Sequence, residues 1–116
     1  MIRFQREMSQ DIQENVRGGQ GKVQFQHLFT QEEMGSPTRL FAKITLPPGS
    51  SIGFHEHHDE EEVYYILQGK GKVIDADVEE IVGPGDAVLT GGGKGHSLEN
   101  IGTQPLEIIA VVILFT

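Results

Sequence analysis

Three of the chain's five histidines fall within four positions, His55, His57 and His58, and four acidic residues follow at once, Asp59, Glu60, Glu61 and Glu62. Imidazole nitrogens and carboxylate oxygens are ligands of divalent transition metals, so this crowding is ligand chemistry. What it can do depends on the backbone beneath it. The flanking runs Ile52 to Phe54 and Val63 to Leu67 carry the β-branched and aromatic residues that favour strands. On a strand alternate side chains share a face, so His55 and His57 point the same way about 7 Å apart along the backbone, whereas on a helix they would diverge. A further histidine, His96, lies in the downstream glycine-rich stretch Gly83 to Gly102, where a turn leads into another short strand.

An HxH pair in an acidic loop is by itself ordinary for solvated histidines, and a run of glutamates is ordinary for a solvated face. The joint spacing of the two segments is more specific. Gly49, His55, His57, Glu62 and Gly69 follow the pattern G-x5-HxH-x4-E-x6-G, while Gly85, Gly93, His96 and Asn100 follow G-x5-PxG-x2-H-x3-N with Gly91 in the proline's place. In these two motifs the chain resembles a small single-domain cupin, over residues 49 to 100. The resemblance implies an all-β double-stranded β-helix, or jelly-roll barrel, with ligands on inward faces of different strands. It also implies one divalent transition metal held by His55, His57, Glu62 and His96. Such ligands accommodate manganese, iron, cobalt, nickel, copper and zinc alike. Glu62 is selected over its acidic neighbours by its spacing to Gly69. Gly91 removes no ligand, but without proline's fixed φ the turn is expected to be more flexible.

The elements that must position these residues are legible in outline. Residues 1 to 22 read as an N-terminal extension with a short strand around Ile2 and Phe4 and a polar loop from Ser9 to Gly21. Residues 23 to 116 read as the barrel domain. Val23, Phe25, His27 and Phe29 alternate onto one face, where His27 is read as a packed or hydrogen-bonded histidine outside the site. Thr30 and Glu33 are placed as a capping box. Leu40, Ala42, Ile44 and Leu46 share the packed face of the next strand, which Pro47, Pro48 and Gly49 terminate. Counting from Glu62 puts Tyr64 and Ile66 on the ligand face, so Tyr64 is the candidate substrate-binding side chain. Gly69 to Gly71 should turn the chain so that Lys72 to Asp75 returns as a hairpin partner, and Val78 to Val82 follows after a second turn. The run Leu106 to Phe115 has too little alternation for one wet face and is expected to be buried on both sides. Many short strands with Gly/Pro-rich turns and no long helical period place the chain in the all-β class.

Bulk properties exclude several function classes. A chain of 116 residues suits one domain. Seventeen acidic against nine basic residues give a formal charge of -8, which would repel a phosphate backbone, so nucleic acid is not an expected partner. The absence of cysteine excludes disulfides and thiolate ligands. No apolar leader core is seen, and the longest apolar run falls far short of the ~20 residues a membrane helix needs, so a soluble cytoplasmic protein with no membrane partner is expected. The apolar last strand and the strand near Ile2 offer sheet edges, from which a homodimer is expected.

For function, three neutral imidazoles and one carboxylate leave a divalent ion with net charge of about +1 and, if six-coordinate, two open positions. That suits a small oxygen-rich ligand. Dioxygenases, oxalate-type decarboxylases and sugar isomerases are among the activities the resemblance implies. The leading expectation is a metal-dependent enzyme acting on a small oxygenated metabolite. The alternative is a non-catalytic binding or sensor module with the same pocket, since the sequence offers no acid or base beyond the ligands and Tyr64.

Overall fold

Side-chain alternation decides the layers of this fold. The computed structural model describes residues 1–115, and within them ten strands are joined by loops and three 3-10 turns, at Gln5–Glu7, Val16–Gly18 and Gln31–Glu33. The strands are β1 (Ser9–Glu14), β2 (Lys22–His27), β3 (Thr38–Leu46), β4 (Ser51–Glu56), β5 (Glu60–Gln68), β6 (Gly71–Asp75), β7 (Val78–Val82), β8 (Ala87–Gly91), β9 (Gly95–Asn100) and β10 (Leu106–Leu114). They form a six-stranded sheet in the order β1-β2-β3-β10-β5-β8 and a four-stranded sheet in the order β4-β9-β6-β7. In the first, Ala42 and Ile44 of β3 lie opposite Ala110 and Ile108 of β10, and all four are buried. In the second, Val73 lies opposite Leu98, both buried. One core takes residues from both sheets, which is the two-layer burial an all-β jelly roll requires.

Several local expectations need correction. The first strand is not at Ile2 and Phe4, which lie outside regular structure and are exposed, but at Ser9–Glu14, paired to β2 from Ser9↔His27 to Glu14↔Lys22. The polar stretch forms a strand because β2 offers it a ladder, and pairing outweighs its weak intrinsic propensity. Nor does β6 return as the hairpin partner of β5. Both edges of β5 are occupied, by β10 and β8, so the chain crosses at Gly69 to the other sheet and pairs with β9 and β7. β10 is a central strand rather than an edge: Leu106, Ile108, Ala110 and Val112 are buried, while the alternate residues are half-buried on the outer face. The capping box is present, with the Thr30 N–H donating to the Glu33 carboxylate at 2.8 Å. Gly91 ends β8 so close to β5 that a Cβ there would stand 2.7 Å from the Cβ of Glu61. Close packing, rather than slack in the turn, accounts for glycine at that position. No helix in the described residues is long and apolar enough to cross a membrane.

Candidate metal centre

His55 is the penultimate residue of β4, His57 follows that strand by one residue, Glu62 lies in β5 and His96 in β9. Strand pairing brings the first and last together, since His55 is the register partner of His96. The third and fourth meet because β5 belongs to the facing sheet and turns Glu62 inward, where His57, Glu62 and His96 are all buried. One potential ligand atom from each of the four residues lies within 4.8 Å of all the others.

The hydrogen bonds around the cluster orient the rings. His57 Nδ1 stands 2.6 Å from Glu60 Oε2, and Arg39 holds Glu60 with two bonds of 3.2 and 2.8 Å. His55 Nδ1 stands 2.8 Å from the Gly53 carbonyl oxygen. An Nδ1–H donating to a carboxylate or carbonyl leaves the Nε2 lone pair free and aimed, which is how metal-binding histidines are commonly held. Tyr64, fully buried, stacks on His96 with ring centroids 4.7 Å apart and planes 13° apart. His96 Nδ1 is buried with no hydrogen-bond partner among the described residues.

Burial works to raise the Glu62 carboxyl, but hydrogen bonds from His57 and His96 outweigh it and hold the group down at about 2. The bond to Glu62 pushes His57 up against the opposing effect of burial, with Glu60 adding to the rise. Burial lowers His55, and the Gly53 carbonyl only partly offsets it. Burial raises Tyr64 well above its ordinary value, helped by the Glu62 charge, so it stays a phenol.

The donor set fits a divalent ion in spacing as well as type. His57 Nε2, His96 Nε2 and Glu62 Oε1 stand 3.0, 3.0 and 2.9 Å from one another. Neighbouring ligands at ~2.1 Å from an octahedral ion lie ~3.0 Å apart, against ~3.4 Å around a tetrahedral one. These three separations are compatible with ligands sharing one divalent ion.

The cluster forms part of the wall of a cavity of about 170 Å³, which also takes Tyr64 into its lining. The rest of that lining was not legible from spacing. Gln13, Val16 and Arg17 come from the N-terminal extension, and His27 and Arg39 from β2 and β3. His27, read as a packed or hydrogen-bonded residue outside the site, is half-buried and stands 2.7 Å from Asp11 through Nε2, and it also lines the cavity. Its place on an alternating apolar strand was the one available signal. None of Gly91 to Gly95 lines the cavity; exposed Gln13 and Arg17 do, which puts the opening beside the N-terminal segment. His58 is exposed and outside the cluster, near Glu56 at 3.6 Å.

The fold and the two motifs converge on one family. The Cupin domain model matches residues 42–112, and the chain belongs to the cupin family. Among curated proteins it is 47% identical over 100 residues to a Thermotoga maritima protein named oxalate-binding protein, covering 86% of this chain and 83% of that one. Among solved structures it is similar to a Thermotoga maritima protein described as a predicted oxalate decarboxylase, with 43% identity, a TM-score of 0.94, and coverage of 99% of this chain and 100% of the other. A mannose-1-phosphate guanylyltransferase of Escherichia coli is 34% identical over 70 residues, which are 60% of this chain and 14% of that enzyme.

Proposed function

We propose that the chain is a metal-dependent binding protein for a small carboxylate with two adjacent oxygen donors, such as oxalate or a 2-oxo or 2-hydroxy acid. The observation that carries this is the 2.9–3.0 Å convergence of His57, His96 and Glu62, of which His57 and Glu62 line a small cavity together with His55. His55, His57, Glu62 and His96 would hold one divalent transition metal. That ion would supply Lewis acidity and two exchangeable positions for carboxylate oxygens. Tyr64 packs behind His96 and, as a neutral phenol, adds no negative charge that would oppose an anion. The cavity lies below the ~300 Å³ at which pockets for drug-sized ligands begin, which favours a ligand of a few heavy atoms. The printed name of the Thermotoga relative points to the same ligand class.

Cobalt substitution tests this directly, because coordination number sets the visible absorption. A six-coordinate spectrum that shifts on adding oxalate, pyruvate or lactate is expected. A closed tetrahedral spectrum untouched by millimolar concentrations of all three would make the site structural.

A catalytic role on the same ligands is favoured by one separate observation. His27 lines the cavity, is not one of the four candidate ligands, and is held by Asp11, so it is placed to exchange a proton with bound substrate. Turnover of small acids, diketones or sugars by the metal-loaded protein, lost in His27→Asn, would select the enzyme. Binding without turnover would select the receptor.

We also propose a homodimer, now on different grounds. β10 is no longer a free edge, but β1 is, and Phe4 and Ile12 beside it are 51% and 65% exposed. Sedimentation should give a dimer at micromolar concentration; a monomer there would overturn it.

A further inference from the structure

Two arginines reach the cavity, and they differ in what surrounds them. Arg39 is already neutralised by Glu60 at 2.8 Å. Arg17 has no ion-pair or side-chain hydrogen-bond partner among the described residues, and it lines the same cavity as His55, His57 and Glu62.

The backbone under Arg17 is built for that placement. Arg17 has φ +54°, in the left-handed region, within the turn Val16–Gly18. A side chain other than Gly, Asn or Asp is strained there and persists only where its surroundings enforce it. Enforcement comes from β4, the strand that carries His55. A Cβ on Gly53 would stand 2.2 Å from the Arg17 carbonyl oxygen, and one on Gly19 would stand 2.2 Å from the Ser51 carbonyl oxygen. Two bonds of 2.9 Å, from the Ser51 N–H to the Gln20 carbonyl and from the Gln20 N–H to Ser51 Oγ, lock the segments together. A cation held on a strained turn, latched to a candidate ligand strand, is more than a solvated surface arginine needs.

We propose that Arg17 is the specificity-determining anchor for the second charge of a dianionic ligand, so that the site prefers dicarboxylates such as oxalate over monocarboxylates. The inference rests on the metal-carboxylate reading above and adds to it which anion is preferred. A divalent ion with Glu62 carries net charge +1, and Arg17 raises the total to +2, which matches a dianion. The guanidinium fork can donate to two carboxylate oxygens at once. Its exposure at the mouth keeps it solvated until the ligand arrives.

The test compares wild type with Arg17→Met, Arg17→Lys and Arg17→Gly after full metal loading, each titrated with oxalate and with acetate through the absorption of bound cobalt. Metal content by mass spectrometry should be equal in all four. Oxalate affinity should fall about 10-fold in Arg17→Met and Arg17→Gly and less in Arg17→Lys, while acetate affinity changes under about 3-fold. Arg17→Gly relieves the left-handed backbone and should melt no lower than wild type, so a folding defect cannot mimic the result. Unchanged oxalate affinity with tight wild-type binding would overturn the anchor alone. Equal losses for oxalate and acetate would also overturn it. Failure of wild type to bind any carboxylate would overturn the metal-carboxylate site and the anchor with it.

Discussion

The two sides of the cavity are built on opposite terms. On one, His57 and Glu62 are buried against His96 and come from the end of β4 and from β5 in the facing sheet, and the two histidine rings are oriented by Glu60 and by Tyr64. On the other, Gln13 of β1 and Arg17 are exposed, and Arg17 rides on a turn that holds left-handed backbone at a non-glycine residue. The first side is fixed by the same contacts that make the core, so the ligand atoms need no reorganisation to converge. The second is latched on from outside. A site whose chemistry is set by the barrel and whose selectivity is set by an added segment can change its ligand without disturbing its metal.

The largest effect should come from the barrel side. His57→Ala or His96→Ala is expected to abolish metal retention, exceeding the ~10–100-fold loss usual for residues that only orient ligands. Full metal content by mass spectrometry in both variants would end the assignment. Chelation of the wild type should lower the melting temperature only modestly, because the core of Ile44, Ile66, Leu98 and Ile108 forms without the cluster. Complete unfolding on chelation would show instead that the two are one unit.

Glu60→Gln should come next. Glu60 fixes the His57 ring at 2.6 Å and is itself held by Arg39, so its change is expected to weaken metal affinity by about 10-fold without abolishing it. Competition against a chelator of known affinity measures this. An affinity equal to wild type would mean that β4 and its neighbours orient His57 unaided.

The same division explains what could be read in the sequence. That His55, His57, Glu62 and His96 lie together was legible through the cupin resemblance, because motif spacing on alternating strands carries three-dimensional information along the chain. Tyr64 followed from Glu62 by the same count, and the structure places it against His96. Arg17 had no such guide. Its proximity to His55 depends on Gly19 meeting Ser51 across a loop, and contacts between irregular segments leave no period in the sequence. Asp11 and Ser9–Glu14 were missed because that strand is polar on both faces, and its order comes from a partner rather than from its own pattern. The β5–β6 hairpin was misplaced for a related reason: adjacency in sequence suggests pairing, but which edges are vacant is a property of the whole sheet.

On the added side, Gly19→Ala should separate position from chemistry. The new methyl would meet the Ser51 carbonyl oxygen at 2.2 Å, and backbone cannot yield as a side-chain tip can. The expected cost is ~1–3 kcal/mol of stability, seen as a lower urea midpoint, with metal content retained. Unchanged stability would mean that the segment is not latched and that Arg17 is free to leave the mouth.

The smallest effect concerns the outer end of the same segment, and it is set by pH. Arg3 pairs with Glu33 and also lies 5.4 Å from the centre of the Phe29 ring. The Thr30 N–H, followed by Arg3, holds Glu33 down from its ordinary 4.5 to about 2. Because the folded value is the lower one, this tether contributes fully above about 4.5 and is lost as pH falls toward about 2. The group is exposed, so solvent screening keeps the contribution small, and the Arg3–Phe29 contact survives protonation. Acidification from pH 6 to pH 3 should therefore lower the protection factors of Phe4 and Thr30, taken relative to the intrinsic exchange rate at each pH, while leaving β10 protected, and Glu33→Gln should show the same local change already at pH 6. Uniform loss of protection through β10 in that window would instead place the acid-sensitive contacts in the barrel. In that case the division between a fixed metal wall and a separately tethered selectivity wall would not hold.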